Sequence, residues 1–332
     1  MDIDFFITWV DGSDPAWREE KEKYQPKADC DVREERYRDW ELLPYWFRGV
    51  ERFAPWVRKI HFITWGHLPA WLDTSNPKLH IVNHRDYIPE EYLPTFCSDT
   101  IELFMNRIEG LAEHFVYFND DMFCIAPLEE DVFFHNGLPR DMLAFQPIVA
   151  NTGSPPMPYL FLNNTMLLAR HFKKRENVKK QPGAYFKLGY PPLYFFYNLL
   201  ECAFPLYTGF YTPHNPSPFL KETFRQVWEA EGDCLSQALL GKFRDREHIS
   251  QYVFREWQKL SGQFVPTNVH RYFQYFNVES HNEKIVDTIC HQKRKMICIN
   301  DANTKIDFDR AKQELIQAFQ TILPHKSSFE KE

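Results

Sequence analysis

The sequence predicts an α/β fold: a Rossmann-like central sheet flanked by helices, with a less regular, partly helical insertion. Three observations predict it. Residues 3–10 form an almost unbroken apolar and β-branched run, the pattern of a strand buried on both faces, and Asp11-Gly12-Ser13-Asp14-Pro15 ends it abruptly. Apolar positions at Leu43, Trp46, Phe47, Val50 and Phe53 then fall at helical spacing before Pro55, and strand-like runs follow at 59–65 and 78–83. Strand, helix, strand, loop, strand is the rhythm of a nucleotide-binding sheet. Finally, Phe115-Val116-Tyr117-Phe118 runs straight into Asn119, Asp120 and Asp121. Ionised carboxylates are costly to desolvate without partners, so this triplet belongs at the open end of a sheet, where ligands of α/β folds sit.

The remaining elements follow in order. Residues 16–24 and 30–40 are charge-dense, with Arg33, Arg36, Arg38 and Asp39 leading to Glu41. Such runs are usually solvated faces, although arginines beside a strand-end site also suit a pyrophosphate. Ser98 or Asp99 caps a helix with the stripe Ile101, Phe104, Met105, Ile108 and Leu111. Beyond Pro127 the pattern loosens, and 125–215 reads as a less regular insertion between core elements, with short strand-like pieces such as 142–145. Within it, the basic segment 173–180 precedes the ring-rich segment 185–197, a pairing that suits an anionic bilayer surface as well as a solvated loop followed by a core helix. Helices are expected at 219–241 and 247–260, a short strand at 272–278, a strand at 296–301 and a last helix striped by Phe308, Ala311, Leu315, Phe319 and Ile322. The strand Met296-Ile297-Cys298-Ile299 stops at Asn300 and Asp301, repeating the logic of Phe118–Asp121.

Composition narrows the function classes. The 332 residues suffice for one large α/β domain, and we read 1–332 as a single unit. Its parts are an α/β half at 1–124, the insertion at 125–215 and a helical portion at 216–332 that returns to the core at 296–301. A formal charge of −7 argues against a general nucleic-acid binder. Seven cysteines without a C-x-x-C pair suit reduced thiols in a cytoplasmic protein, and no zinc-type Cys/His cluster is visible. The acidic start lacks the basic region of a signal peptide, and no run of about 18 apolar residues marks a membrane span. Glycine fingerprints for NAD or P-loop binding and a serine nucleophile elbow are also missing.

At this point a resemblance enters. Ile3-Asp4-Phe5-Phe6-Ile7-Thr8-Trp9-Val10-Asp11-Gly12-Ser13-Asp14-Pro15 closely resembles the first region of the Stealth family of sugar-phosphate transferases. Tyr37-Arg38-Asp39, the run 54–60, Pro69–Leu72, Leu93–Phe96 and Tyr117–Asp121 are similar to its second region. His214-Asn215-Pro216 through Lys242–Arg244 is similar to the third, and Ile297–Asp301 to the fourth. Cys97, Trp40 and the pair Trp65-Gly66 depart from the usual pattern.

The resemblance implies a glycosyltransferase A-like fold in which 1–124 binds a nucleotide-sugar. It implies attack by an acceptor hydroxyl on the phosphorus next to the sugar of a UDP-sugar, departure of UMP, and a new phosphodiester. Catalytic positions would be Asp120, Asp121, His214 and Arg244. Asp11, Gly12, Arg36, Arg38, Asp39, Asn119, Asn300 and Asp301 would bind substrate. Asp120 and Asp121 are hard oxygen ligands suited to Mg²⁺ or Mn²⁺. The implied partners are a UDP-sugar donor and a lipid-linked oligosaccharide or polysaccharide acceptor, with no nucleic acid, and the expected location is cytoplasmic, at most peripheral on the inner membrane face. Two alternatives stay open from the residues: a metal-dependent glycosyltransferase that releases UDP, and a non-catalytic carbohydrate-binding module.

Overall fold

The computed structural model describes residues 1–25, 38–149, 156–301 and 306–331. The chain runs β1 (Ile3–Thr8), α1 (Pro15–Tyr24), α2 (Leu43–Phe53), β2 (Ile60–Thr64), β3 (Leu79–Asn83), α3 (His84–Tyr87), α4 (Ser98–Leu103), β4 (His114–Phe118) and β5 (Met122–Cys124). It continues through β6 (Phe134–His135), β7 (Leu138–Asp141), α5 (Met157–His171), α6 (Lys174–Lys180), α7 (Pro182–Tyr185), α8 (Pro192–Glu201), β8 (Ser217–Leu220) and α9 (Lys221–Ala238). It closes with α10 (Tyr252–Ser261), β9 (Val265–Pro266), β10 (Phe273–Asn277), α11 (Glu283–Cys290), β11 (Met296–Asn300) and α12 (Phe308–Ile322).

The central sheet has the order β3-β2-β1-β4-β8, parallel except for β8 against β4. Its inner strands are the expected ones, and alternation explains their pure apolarity. Phe5, Ile7, Val116 and Phe118 face one core, shared with α2 and α12, while Phe6, Phe115 and Tyr117 face another, shared with α9 and α10. The order reverses between β1 and β4, because β2 and β3 build outward on one side of β1 and β4 lies on the other. The carboxyl ends of these two strands therefore flank a topological switch point, the position at which open α/β sheets bind ligands.

The strand carrying Asn300 does not join this sheet. It forms a second sheet in the order β10-β11-β5, with β11 antiparallel to β5. Because β5 begins immediately after Asp121, this pairing sets Cys298 opposite Met122 and leads the Ile299 amide to the Asp121 carbonyl at 2.9 Å. Close packing of α2 on β5 requires Gly49, where a Cβ would lie 2.5 Å from the Cys124 carbonyl oxygen.

Three element boundaries differ from expectation. Helix α4 stops at Leu103, whose carbonyl accepts the Trp228 indole N–H at 2.9 Å, and a 3₁₀ turn at Met105–Arg107 carries on, so the stripe Phe104, Met105 and Ile108 stays buried without a long helix. Residues 142–145 form only a single bridge, from Phe145 to Phe210. Side chains replace a ladder there: the Tyr190 hydroxyl accepts from the Leu143 amide, Asn198 Oδ1 accepts from the Phe145 amide, and Lys259 donates to the Met142 carbonyl. Helix α10 starts at Tyr252 and is buried along its length rather than amphipathic, including Arg255 and Lys259 at 0% exposure.

Candidate active site

The site grows from the turn between β4 and β5. Strand β4 is buried from Phe115 to Phe118, and the chain must turn at Asn119–Asp121 to enter the second sheet, which presents three polar side chains at the switch point. From the other side comes the segment before β8, carrying His214. Its Nε2 lies 3.2 Å from Asp121 Oδ2 and 3.2 Å from Asn119 Nδ2, and its Nδ1 lies 2.9 Å from the Tyr252 hydroxyl. Burial disfavours charging this ring, but the Asp121 carboxylate outweighs it and holds the imidazole above its ordinary pKa.

Asp121 is the hub. Its Oδ2 also accepts from Cys298 Sγ at 3.1 Å, while its Oδ1 is buried with no hydrogen-bond partner. Asp120 is open to solvent at the cleft surface yet ringed by protein. Partial desolvation and then the Asp121 charge, with Asp39 adding to it, push its carboxyl up to about 7. An acid that resists ionising beside the Asp121 charge, with an Asp121 oxygen buried and idle, is what a divalent cation would relieve. The donor set fits a metal on that ground. Among the described residues, Asp121 is grouped with His214 and Cys298, one ligand atom of each lying within 4.8 Å of the others; a second such group, Cys97, Asp99 and His248, is engaged instead by the Arg244 guanidinium.

The expected site residues divide by location. Asn119, Asp120, Asp121 and His214 come together at the switch point, with Asp39 close enough to act on Asp120. Arg244 sits behind them in a buried ion pair, Nε to Asp99 Oδ2 at 3.0 Å, with a further bond to Ser98 Oγ. Its tie to the centre is indirect: Glu102, at the far end of α4 from Ser98 and pushed up to about 7 by burial and by Asp99, lies 2.8 Å from the Tyr117 hydroxyl, which also contacts Asn119 Oδ1. His248 completes this rear cluster; burial opposes its charge, but Asp99 and Cys97 raise it to about 10.

Arg38 and Asp301 hold each other. The guanidinium makes a two-pronged pair with the carboxylate at 3.0 and 2.7 Å, the Trp40 indole donates to the same carboxylate at 3.2 Å, and Phe308 lies against the arginine. Asn300 donates to Asn277 Oδ1 at 2.9 Å on the neighbouring strand. Asp11 folds its carboxylate onto Ser13, its amide donates to His67 Nε2 at 2.8 Å, and the Gly12 carbonyl accepts from Arg18. Arg36 lies outside the described residues. On the same carboxyl edge, a cavity of about 440 Å³ opens beyond β2 and β3, lined by Trp65, Asn83, His84, Leu93 and Thr95.

Several contributing residues carry no local sequence signal. Helix α10 supplies Tyr252 to His214, and one turn on, Arg255 pairs with buried Asp141 at 2.6 and 2.8 Å while donating to the Pro213 carbonyl at 2.8 Å. Glu256 accepts from Thr212 at 3.0 Å. The loop that positions His214 is thus fixed from behind by three residues of one helix face. Cys298, in the apolar run of β11, is buried, and its thiol reaches Asp121.

Two family models match the chain. Stealth protein CR1, conserved region 1, matches residues 1–29, and Stealth protein CR2, conserved region 2, matches 36–141. Along its whole length the chain is similar to capsular polysaccharide phosphotransferase WcwK of Streptococcus pneumoniae, with 39% identity over 99% of both chains. The chain belongs to the Stealth family of polysaccharide phosphotransferases. The chain is also similar to the receptor polysaccharide phosphotransferase WefC of Streptococcus gordonii, 36% identical over 99% of this chain and 98% of that one, and to the exopolysaccharide phosphotransferase cps2G of Lactiplantibacillus plantarum, 36% identical over 100% and 97%. Among solved structures, the galactosyltransferase LgtC matches with a TM-score of 0.41 and 11% identity over 99% of this chain and 98% of that one, too distant to carry an argument about chemistry. The two conserved regions matched by the family models contain both strand ends of the switch point, Asp11–Gly12 and Asn119–Asp121.

Proposed function

We propose that this Stealth protein transfers a sugar-1-phosphate, a hexose- or N-acetylhexosamine-1-phosphate, from a UDP-sugar to a hydroxyl of a growing cell-surface polysaccharide. The observation that carries the reading is the His214–Asp121 pair at the switch point of the sheet. An acceptor hydroxyl attacks the phosphorus attached to the sugar; the new O–P bond forms as the P–O bond to UMP breaks, and the electron pair leaves with UMP. His214 Nε2 takes the hydroxyl proton, and the carboxylate of Asp121 stabilises the imidazolium that results. Tyr252 and Asn119 hold the ring in orientation.

Asp120 and Asp121 are the residues that would hold Mg²⁺ or Mn²⁺. When bound, the cation supplies positive charge to the non-bridging phosphate oxygens. The cavity beyond β2 and β3 suits the nucleoside: it offers the Trp65 ring for stacking and His84, whose Nδ1 is buried without a partner and whose pKa burial lowers to about 3, so that the ring is neutral at physiological pH. The test is phosphorus NMR of polymer made by the enzyme from a panel of UDP-sugars. A phosphodiester resonance between sugar units supports the reading; a polymer joined by plain glycosidic bonds replaces it with an ordinary glycosyltransferase.

A further inference from the structure

Helix α8 is inside out. Its polar residues face the protein and its apolar residues face solvent, the reverse of a normal surface helix. Asn198 is 0% exposed, accepts from the Phe145 amide at 2.7 Å and donates to the Tyr185 carbonyl at 2.6 Å. Glu201 is also buried, bonded to Lys174 at 3.3 Å and to Thr208 at 2.6 Å. Meanwhile Leu193, Phe195, Phe196, Leu199 and Leu200 project outward, Phe196 at 54% and Leu200 at 50% exposure, and Leu206 just beyond the helix reaches 75%. Isolated exposed apolar residues need no explanation, but a continuous face of this kind marks an interaction surface.

We infer that α8 and its flanks form an interfacial docking surface for an anionic phospholipid bilayer. Charge decides between a bilayer and other occupants. From 181 to 213 the sole acid is the buried Glu201, so no exposed carboxylate opposes the approach of anionic headgroups. Beside the face stand the exposed Lys173, Arg175, Lys179 and Lys180 of α6 and its start, against a single exposed acid, Glu176. Lys174 clamps this basic segment to the helix by donating to the Glu201 and Leu206 carbonyls at 2.8 and 2.9 Å. Tyr194 and Tyr197, half-buried at the margin, are residues suited to the headgroup boundary. Among the described residues no helix is long and apolar enough to cross a membrane, so the contact is made from one side. The chain leaving this face runs through Phe210, anchored to Phe145, and reaches His214 within a few residues. Given the proposed polysaccharide acceptor, the surface would deliver a lipid-linked acceptor to the His214 side of the site.

The test is co-sedimentation of the full chain with vesicles of phosphatidylcholine alone or mixed with phosphatidylglycerol, for wild type, the triple variant Leu193→Ser, Phe196→Ser, Leu200→Ser, and the charge variant Lys179→Glu, Lys180→Glu. Circular dichroism verifies folding, which these exposed positions leave intact. Wild type is expected to bind mixed vesicles at least about tenfold more tightly than neutral ones, the triple variant to lose binding to both, and the charge variant to lose the preference. Absence of wild-type binding overturns the inference, as does a wild-type dimer in light scattering that the triple variant breaks, since a second copy then covers the face. Transfer to a soluble acceptor separates this result from the proposed reaction. Vesicle binding without any transfer leaves the surface standing and removes the reaction, and transfer without vesicle binding does the converse.

Discussion

His214 sits between a carboxylate and a phenol, and the consequences of removing each partner differ. Asp121→Asn keeps the shape but removes the charge that favours the imidazolium, and His214→Ala removes the proton acceptor. Both are expected to lower kcat by about 10²–10⁴ with the fold retained, while Tyr252→Phe, which only orients the ring, costs about tenfold or less. Steady-state rates beside circular dichroism check this. Chelation is expected to abolish transfer and added Mg²⁺ or Mn²⁺ to restore it, because Asp121 Oδ1 has no protein partner and Asp120 resists ionising beside it; rates before and after EDTA decide. Behind the site, burial raises and Arg255 and Lys259 more than offset it, so Asp141 is held below the usual carboxylate range. A depressed folded pKa means stability present above the unfolded value and lost as pH falls through the folded one. Stability is therefore expected to drop below about pH 4, and Asp141→Asn to cost about 3–5 kcal/mol at pH 7 by stranding Arg255; urea titrations at both pH values measure it. At this scale the position of Asp120 and Asp121 at a strand end was legible from charge abutting an apolar run, whereas His214 stood out only through the resemblance to the third Stealth region. Arg255 and Tyr252 were not legible, because a charged residue in a helix reads as solvent-facing until its buried partner, here 114 positions away, is known.

Among elements, burial on both faces made β1, β2 and β4 readable as continuous apolar runs. The second sheet was hidden for the opposite reason. Strand β5 is three residues long, too short for a periodic signal, and its partner β11 lies far along the chain. The sequence shows two strand ends with the same polar terminus but not that β11 pairs with β5, which is what brings Cys298 to Asp121. The seating of β5 depends on how closely α2 approaches it. Gly49→Ala puts a methyl within 2.5 Å of a backbone oxygen that cannot swing away. The expected cost is about 1–3 kcal/mol, with reduced transfer because β5 follows Asp121 directly; thermal unfolding together with activity checks it.

Across the whole molecule, two distant stretches converge on one edge of the central sheet: the turn after β4 and the loop ahead of β8. Helix α10 and the buried ion pairs behind it hold His214 in place, and the Arg38–Asp301 pair ties the segment before α2 to the end of β11. The fold class was accessible from the alternation of strand-like and helix-like runs, whereas the inside-out helix α8 was not, since its ring-rich sequence suits a core helix equally well until its buried Asn198 is seen. The central claim is that bond cleavage occurs at the phosphorus, between sugar phosphate and UMP. Incubating the enzyme with UDP-sugar, acceptor and Mg²⁺ and separating the released nucleotide by anion-exchange chromatography tests it directly. The account predicts UMP in step with product and none from Asp121→Asn; release of UDP instead would contradict it.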